Sequence, residues 1–295
     1  MTLPRSAPTA SSLSGLNPHD PPTTRYTPRR RKNDDTEKLN MPYFDEDDRR
    51  CLMDEFAAVP AKTQVLTNAF LVRDYLSDIA KEYAHHGVCR RLATLAQCIT
   101  QIYALLPPNL DEVPPRAVLL DTTVFIQAFV FNAYGILDNL AFVWVNEKNI
   151  SKPDGQPLPK GQVGLTRDKK IVRHSFSAEM QTYLAERDPW LAHLENFRHS
   201  LGHRIPLYIP PYVVDPAKFG LYKDLELRMN DALYRGDLDE RTRLEVEQNA
   251  LIRFRPLMKQ SFGDPTPPVV FHPQVLADFA TVEEMSLRVL EELNR

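Results

Sequence analysis

The segment N-F-R-H-S-L-G-H-R-I-P-L-Y-I-P-P, residues 196–211, concentrates the side chains of this chain best suited to chemistry. Arg198, His199, Ser200, His203 and Arg204 fall on the last turns of an expected helix. Pro206 ends that helix, because a proline disfavours helical backbone at the residue before it. Imidazoles exchange protons near neutral pH, and the rigid fork of a guanidinium binds phosphate bidentately. These residue types therefore point to phosphate binding combined with proton transfer. On an ideal helix, residues five apart are offset by about 140°. Arg198 and His203 converge only if the helix end distorts, and Gly202 offers a place for that.

Two other readings of the same residues stay open. Arg198 can pair with a carboxylate, Asp138 or Glu195, while His203 sits at the helix C-terminus, where cationic side chains are favoured. His199 and His203, spaced i, i+4, share one helix face as in many zinc sites. A third ligand would have to come from His174 or His193, and no H-E-x-x-H pattern exists, so neither a metal nor any other cofactor is expected. Asp138 lies amid apolar residues, where an unpaired acid is costly. It can orient Arg198 or His203, or lock two helices together, and the second role is favoured. His85 and His86 precede Gly87 and are expected exposed at a helix end. His272, between Phe271 and Pro273, is expected to be a structural hydrogen-bonding histidine.

Composition narrows the field further. The 295 residues are 43% hydrophobic, enough for a substantial core, and carry a formal net charge of -3. A polyanion would thus have to meet a local patch rather than the overall field. Cys51, Cys89 and Cys98 lack metal-ligand spacing and are odd in number, which argues against a disulfide framework or zinc site. No P-loop, G-x-G-x-x-G or G-x-S-x-G motif is present, leaving nucleotide-cradling enzymes and α/β-hydrolases without support. No signal peptide is visible, and Phe125 to Val145, the most apolar stretch, is interrupted by Gln127, Asn132, Asp138 and Asn139. It reads as a buried helix, and no membrane association is expected.

The elements that must position the site follow from periodicity. Residues 1–40, rich in Pro, Ser and Thr with Arg29-Arg30-Arg31-Lys32, read as a disordered tail, and Met41 is the expected start of a single domain spanning 41–295. Apolar residues between about Asp45 and Leu106, among them Val72, Leu76 and Ile79, recur at helical spacing and predict two antiparallel helices joined near His85-His86-Gly87. After a Pro-rich linker, Leu119 to Lys148 is apolar nearly all round, as the central helix of a bundle would be. Residues 150–176 read as an exposed loop. A short helix near Ser177–Glu186 is followed by another opening at Asp188-Pro189, which carries the Arg/His segment. Two helices are expected over Pro216–Leu233 and Asp239–Gln248. Leu251–Arg255 alternates like a strand, pairing with Val269-Val270-Phe271 through a Ser261–Pro268 turn. Gln274–Leu293 reads as a final amphipathic helix.

The run from Arg198 to His203 resembles the R-x4-6-H motif of the HEPN family, with His199 in the position where a polar residue usually follows the Arg. Arg187…His193 and Arg167…His174 match the same spacing, but the first spans a helix start at Pro189 and the second falls in the expected loop. N-A-Y-G-I-L-D-N-L-A at 132–141, F-R-H-S-L-G-H-R-I-P-L-Y-I-P-P at 197–211 and F-H-P-Q-V-L-A-D-F at 271–279 resemble blocks of a bacterial HEPN-like family, a likeness covering roughly residues 45–295. The resemblance implies a mostly α-helical bundle, to which the alternation at 251–255 and 269–271 adds a small β-hairpin near the C-terminus. It also implies a site at Arg198, His203 and His199, with Asp138, Ser200 and Arg204 in support, that either binds RNA or cleaves it without a metal ion. A cytoplasmic homodimer is implied, with two motif copies around one cleft, and a place in toxin–antitoxin or antiviral systems with an antitoxin partner. The alternative is a catalytically inactive helical interaction or assembly module.

Overall fold

A helix that is apolar nearly all round belongs in a protein core or a membrane, and the helix Arg116–Glu147 forms the core here, although Leu120, Val124 and Phe131 are exposed. In the computed structural model, which describes residues 43–260 and 267–295, Ile126, Phe129, Ile136, Leu137, Leu140, Val143 and Trp144 of this helix are all buried. By length and composition it could cross a bilayer, with a window of mean hydropathy 1.4, yet half of that window is buried against other helices of this chain. The expected tail, its basic run, Met41 and most of the Ser261–Pro268 turn lie outside the described residues.

In chain order, the elements before this helix are α1 (Glu46–Leu71), α2 (Asp78–Glu82), a π-helical turn (Tyr83–Val88) and α3 (Cys89–Leu105), and the central helix is α4. After it come α5 (Lys170–His174), α6 (Ala178–His203), β1 (Val213–Val214), α7 (Phe219–Tyr234), α8 (Leu238–Asn249), β2 (Ile252–Arg253), β3 (Leu257–Met258), β4 (Val269–Val270) and α9 (Phe271–Leu293). Helices α2, α3, α6 and α9 pack on α4, and α1 packs on α3 and α9. The protein is thus a mostly α-helical bundle with small antiparallel β-ladders toward its C-terminus.

Several boundaries differ from the sequence expectation, each for a tertiary reason. The first two long helices are separated at residues 72–77, not at His85-His86-Gly87. There the buried Glu147 carboxylate accepts the backbone N–H groups of Leu76 at 3.0 Å and Ser77 at 3.2 Å, satisfying donors that the start of α2 leaves unpaired. Ser77 Oγ accepts from Ala80 at 3.2 Å as the N-cap. Val72 and Leu76, counted as part of a helical stripe, are 79% and 94% exposed. Gly87 lies inside continuous helix because Asn139 of α4 sits 2.8 Å from where its Cβ would be, so the glycine marks a close approach and not a break. His85, in the same π turn, is half-buried and packs edge-on against Tyr75, whereas His86 is exposed as expected, and neither ends a helix.

Pro189 does not split α6, which runs unbroken from its Ser177 cap. An interior proline costs about 3 kcal/mol in an isolated helix. Tertiary anchors flank it: buried Arg173 pairs with Asp188, and Trp190 Nε1 donates to Asp278 at 2.9 Å. Residues 150–176 are likewise not wholly exposed, since Val163, Leu165, Val172 and Arg173 are buried.

The strand pairing also differs from the expected one. Ile252–Arg253 pairs with Val213–Val214, and Val269–Val270 pairs with Leu257–Met258. Pro256, which has no N–H to donate, lies between the two ladders, and the chain pairs again one residue later at Leu257. His272 fills its expected structural role: Nε2 donates to the Leu106 carbonyl at 2.5 Å from the start of α9.

Candidate functional site

The end of α6 is held by the loop that follows it. Leu207 and Ile209 are buried, Gln127 of α4 donates to the Leu207 carbonyl at 2.8 Å, and Tyr208 forms a bridge with Lys259. This fixes the final turns of α6 across α4 while Gly202, His203, Arg204 and Ile205 stay exposed.

Arg198 is half-buried, with its guanidinium 5.5 Å from the centroid of the Tyr134 ring. A cation over an aromatic face is electrostatically favoured and keeps its charge. Arg198 makes no ion pair or hydrogen bond among the described residues, so the expected pairing with Asp138 or Glu195 is not formed. Glu195 instead accepts from Tyr134 Oη at 3.4 Å. Asp138 is half-buried, and burial pushes its carboxyl above the usual range while Arg198, Arg91 and Lys169 pull it back and Glu195 adds to the rise. It sets the field of the site without a direct bond to any of these cations, so the helix-locking role does not describe it.

His199 and His203 face the same way as expected, their ring centroids 5.9 Å apart. Among the described residues no third His, Cys, Asp or Glu joins them in a metal-holding group. The expected distortion at Gly202 is absent: the N–H of Arg204 donates to the Ser200 carbonyl at 3.0 Å in the ordinary helical pattern. Arg198 and His203 of one chain therefore stay about 140° apart around the helix. Ser200 turns inward, 1% exposed, with Oγ donating to the Asn196 carbonyl at 3.0 Å, which removes it from the site. Arg204, exposed, donates to Asn196 Oδ1 at 3.3 Å.

The sequence expectation missed Arg91 of α3, whose Nε and Nη1 donate to Asn139 and Asn132, each at 3.0 Å. Asn132 and Asn139 fall two turns apart on α4 with Gly135 between them, a polar–small–polar stripe on an apolar helix that signals a seat for a side chain. Elsewhere, a groove of about 410 Å³ between α1 and α3 is lined by Met53, Phe56, Tyr103, Pro107 and Pro108 and contains none of these residues. No protein-family model, characterised protein or solved structure matches the chain.

Proposed function

We propose that this is an HEPN-like protein that binds RNA and cleaves it without a metal ion at a site shared by two copies of the chain. One observation carries the reading: the guanidinium of Arg198, steadied by the Tyr134 ring, has no carboxylate partner beside the His199–His203 imidazole pair. A guanidinium held in place without a direct hydrogen bond to a carboxylate can donate to a ligand anion. Because one α6 cannot aim Arg198 and His203 at the same phosphate, the two-fold arrangement of a homodimer supplies what the single chain lacks, Arg198 of one copy facing His203 of the other.

In this scheme the 2′-hydroxyl attacks the adjacent phosphorus while an imidazole takes its proton. The P–O5′ bond breaks, a second imidazole gives a proton to the departing oxygen, and a 2′,3′-cyclic phosphate and a 5′-hydroxyl result. Arg198 stabilises the charge that builds on the non-bridging oxygens.

The test is incubation of purified protein with mixed RNA in EDTA, alongside His203→Gln. That variant keeps a polar side chain at the helix end but cannot exchange protons near pH 7, so cleavage should be lost in a folded protein. Absence of cleavage by well-folded wild type would overturn the enzyme reading and leave an interaction module. A concentration-independent monomer in sedimentation would overturn the shared site.

A further inference from the structure

We infer that the segment 148–174, between α4 and the start of α6, is a contact surface for the phosphodiester backbone of RNA, held by charge and without regard to base sequence; the inference rests on the reading of this protein as one that handles RNA. The segment carries seven Lys or Arg residues against two acids, Asp154 and Asp168, a formal charge of +5 in a chain whose total is -3. The rest of the molecule is therefore net acidic. A polyanion is repelled there and drawn here.

Two of the seven cations serve the fold: buried Arg173 pairs with Asp188 of α6, and Lys169 is held by Asp168 at 2.6 Å. Lys148 rests with its ammonium 5.6 Å from the centroid of the Trp144 ring, which keeps its charge. The side chains of Lys152, Lys160, Arg167 and Lys170 make no ion pair or hydrogen bond among the described residues, and the last three are exposed. The backbone that carries them is pinned. Val163, Leu165 and Val172 are buried, Arg173 also donates to the Leu165 carbonyl at 3.5 Å, and the stem of Lys169 packs on Gly164, its Cγ 3.0 Å from where a Cβ would be. With Gly164 against Lys169, chain reach keeps Lys160 and Lys170 within about 25 Å of one another, Arg167 lying in the turn between. That is the span of about seven phosphates at roughly 3.4 Å each.

What surrounds these charges selects the partner. Anionic membranes are held by basic residues together with inserted apolar side chains. Among the described residues, no large apolar side chain between Phe131 and Ile205 is exposed, so the segment has nothing to insert. It also contains no Phe, Tyr or Trp, the rings on which single-stranded bases stack. The phosphates are what lysines and an arginine can hold here, and phosphate contacts carry no base information. The surface stands apart from Arg198 and His203, so the two can be tested separately.

The experiment is fluorescence anisotropy with single-stranded 2′-O-methyl RNA of about 12 nucleotides, longer than that span and resistant to cleavage, at several salt concentrations. The variant combining Lys160→Gln, Arg167→Gln and Lys170→Gln should weaken binding about tenfold near 0.1 M salt and lower the salt slope by about 2, at about 0.7 for each lost phosphate contact. Its unfolding midpoint should match wild type, because these side chains have no partners to lose. Lys81→Gln, Arg116→Gln and Arg235→Gln together remove three exposed cations elsewhere and should leave affinity and slope near wild type. Oligomers of U and of A should bind alike. Equal losses in the two triple variants would overturn the inference, since the effect would then be one of net charge. Undiminished binding by the first triple variant would also overturn it, and if Arg198→Gln then abolishes binding, the RNA reading stands without this surface. Binding that depends on the segment, by a wild type that cleaves no RNA in EDTA, would uphold the inference and overturn the enzyme reading. No RNA binding by wild type would overturn both, and binding to phosphatidylserine vesicles in its place would make the segment a membrane contact.

Discussion

Asp278 and Asp138 are both carboxylates that burial pushes above the usual range, yet their surroundings differ in kind. Asp278 on α9 is sealed, and its Oδ1 accepts from Trp190 Nε1 at 2.9 Å and Gln274 Nε2 at 2.8 Å. Glu292 on the same helix accepts from the Ser177 N–H and hydroxyl at 2.9 and 2.7 Å. Around Asp138 no cation bonds the carboxylate directly among the described residues, although Arg198, Arg91 and Lys169 act on it electrostatically, and Arg198 rests over the Tyr134 ring. Buried polar groups in a purely structural setting find partners. Asp278 and Glu292 obey that rule and tie α9 to α6 and its Ser177 cap, whereas Asp138 and Arg198 are half-buried and make no hydrogen bond among the described residues. Substitutions on the two sides should therefore fail differently.

The largest effect should come from the sealed side. Phe129→Ala, 1% exposed at the centre of α4, should cost about 3–5 kcal/mol in chemical denaturation, and Leu137→Ala about 2–5 kcal/mol. Unfolding free energies near wild type for both would break the assignment of α4 as the core.

A second prediction uses two sealed groups with opposite proton linkage. Burial raises Asp278 from 3.8 to about 6, so the folded state holds its proton more tightly; the stability this contributes is full below pH 3.8 and is lost as pH rises through about 6. Burial lowers His272 from 6.5 to about 4, so its contribution is present above pH 6.5 and is lost as pH falls toward 4. Each is on the order of 3 kcal/mol, and between pH 4 and 6 they oppose one another. Asp278→Asn keeps an oxygen for Trp190 but removes one side of the balance, so its stability should fall more steeply than that of wild type as pH drops from 6.5 to 4. Parallel curves for the two proteins would show that Asp278 is not sealed.

On the open side, the effect should fall on function and spare the fold. Arg198→Lys keeps the charge and loses the bidentate fork, and cleavage should drop about 100-fold, close to 2.7 kcal/mol of transition-state stabilisation. Its unfolding midpoint should stay within the error of wild type, because Arg198 makes no ion pair or hydrogen bond among the described residues. A large loss of stability with normal cleavage would place Arg198 on the structural side of the comparison.

The sequence revealed what depends on local pattern and concealed what depends on distant partners. α4 and α9 were legible because their apolar residues recur along a single element, and Arg198, His199 and His203 because their types stand out. The break at residues 72–77 was not, since the carboxylate that ends α2's need for partners is Glu147, some seventy positions away. Pro189 looked like a helix start, and the contacts that flank it in the continuous helix, Trp190 with Asp278 and Arg173 with Asp188, join residues far apart in sequence. Arg91 escaped because its seat is made of Asn132, Gly135 and Asn139, which in sequence are mere interruptions of an apolar run.

The smallest effect separates two helical glycines that the sequence gives no means of ranking. At Gly135 an added Cβ meets the Arg91 guanidinium at 2.5 Å, whereas at Gly202 nothing lies within 4 Å. Gly202 also sits in helix that keeps its hydrogen bonds through Arg204, so no unusual backbone holds it there. Gly202→Ala should therefore raise stability by about 0.5 kcal/mol, the gain of removing a glycine's conformational freedom from a helix, and leave cleavage unchanged. Loss of cleavage in Gly202→Ala with the fold intact would mean that α6 must unwind at this point during the reaction. Arg198 and His203 of one chain could then meet at one phosphate, and the need for a second copy of the chain would disappear.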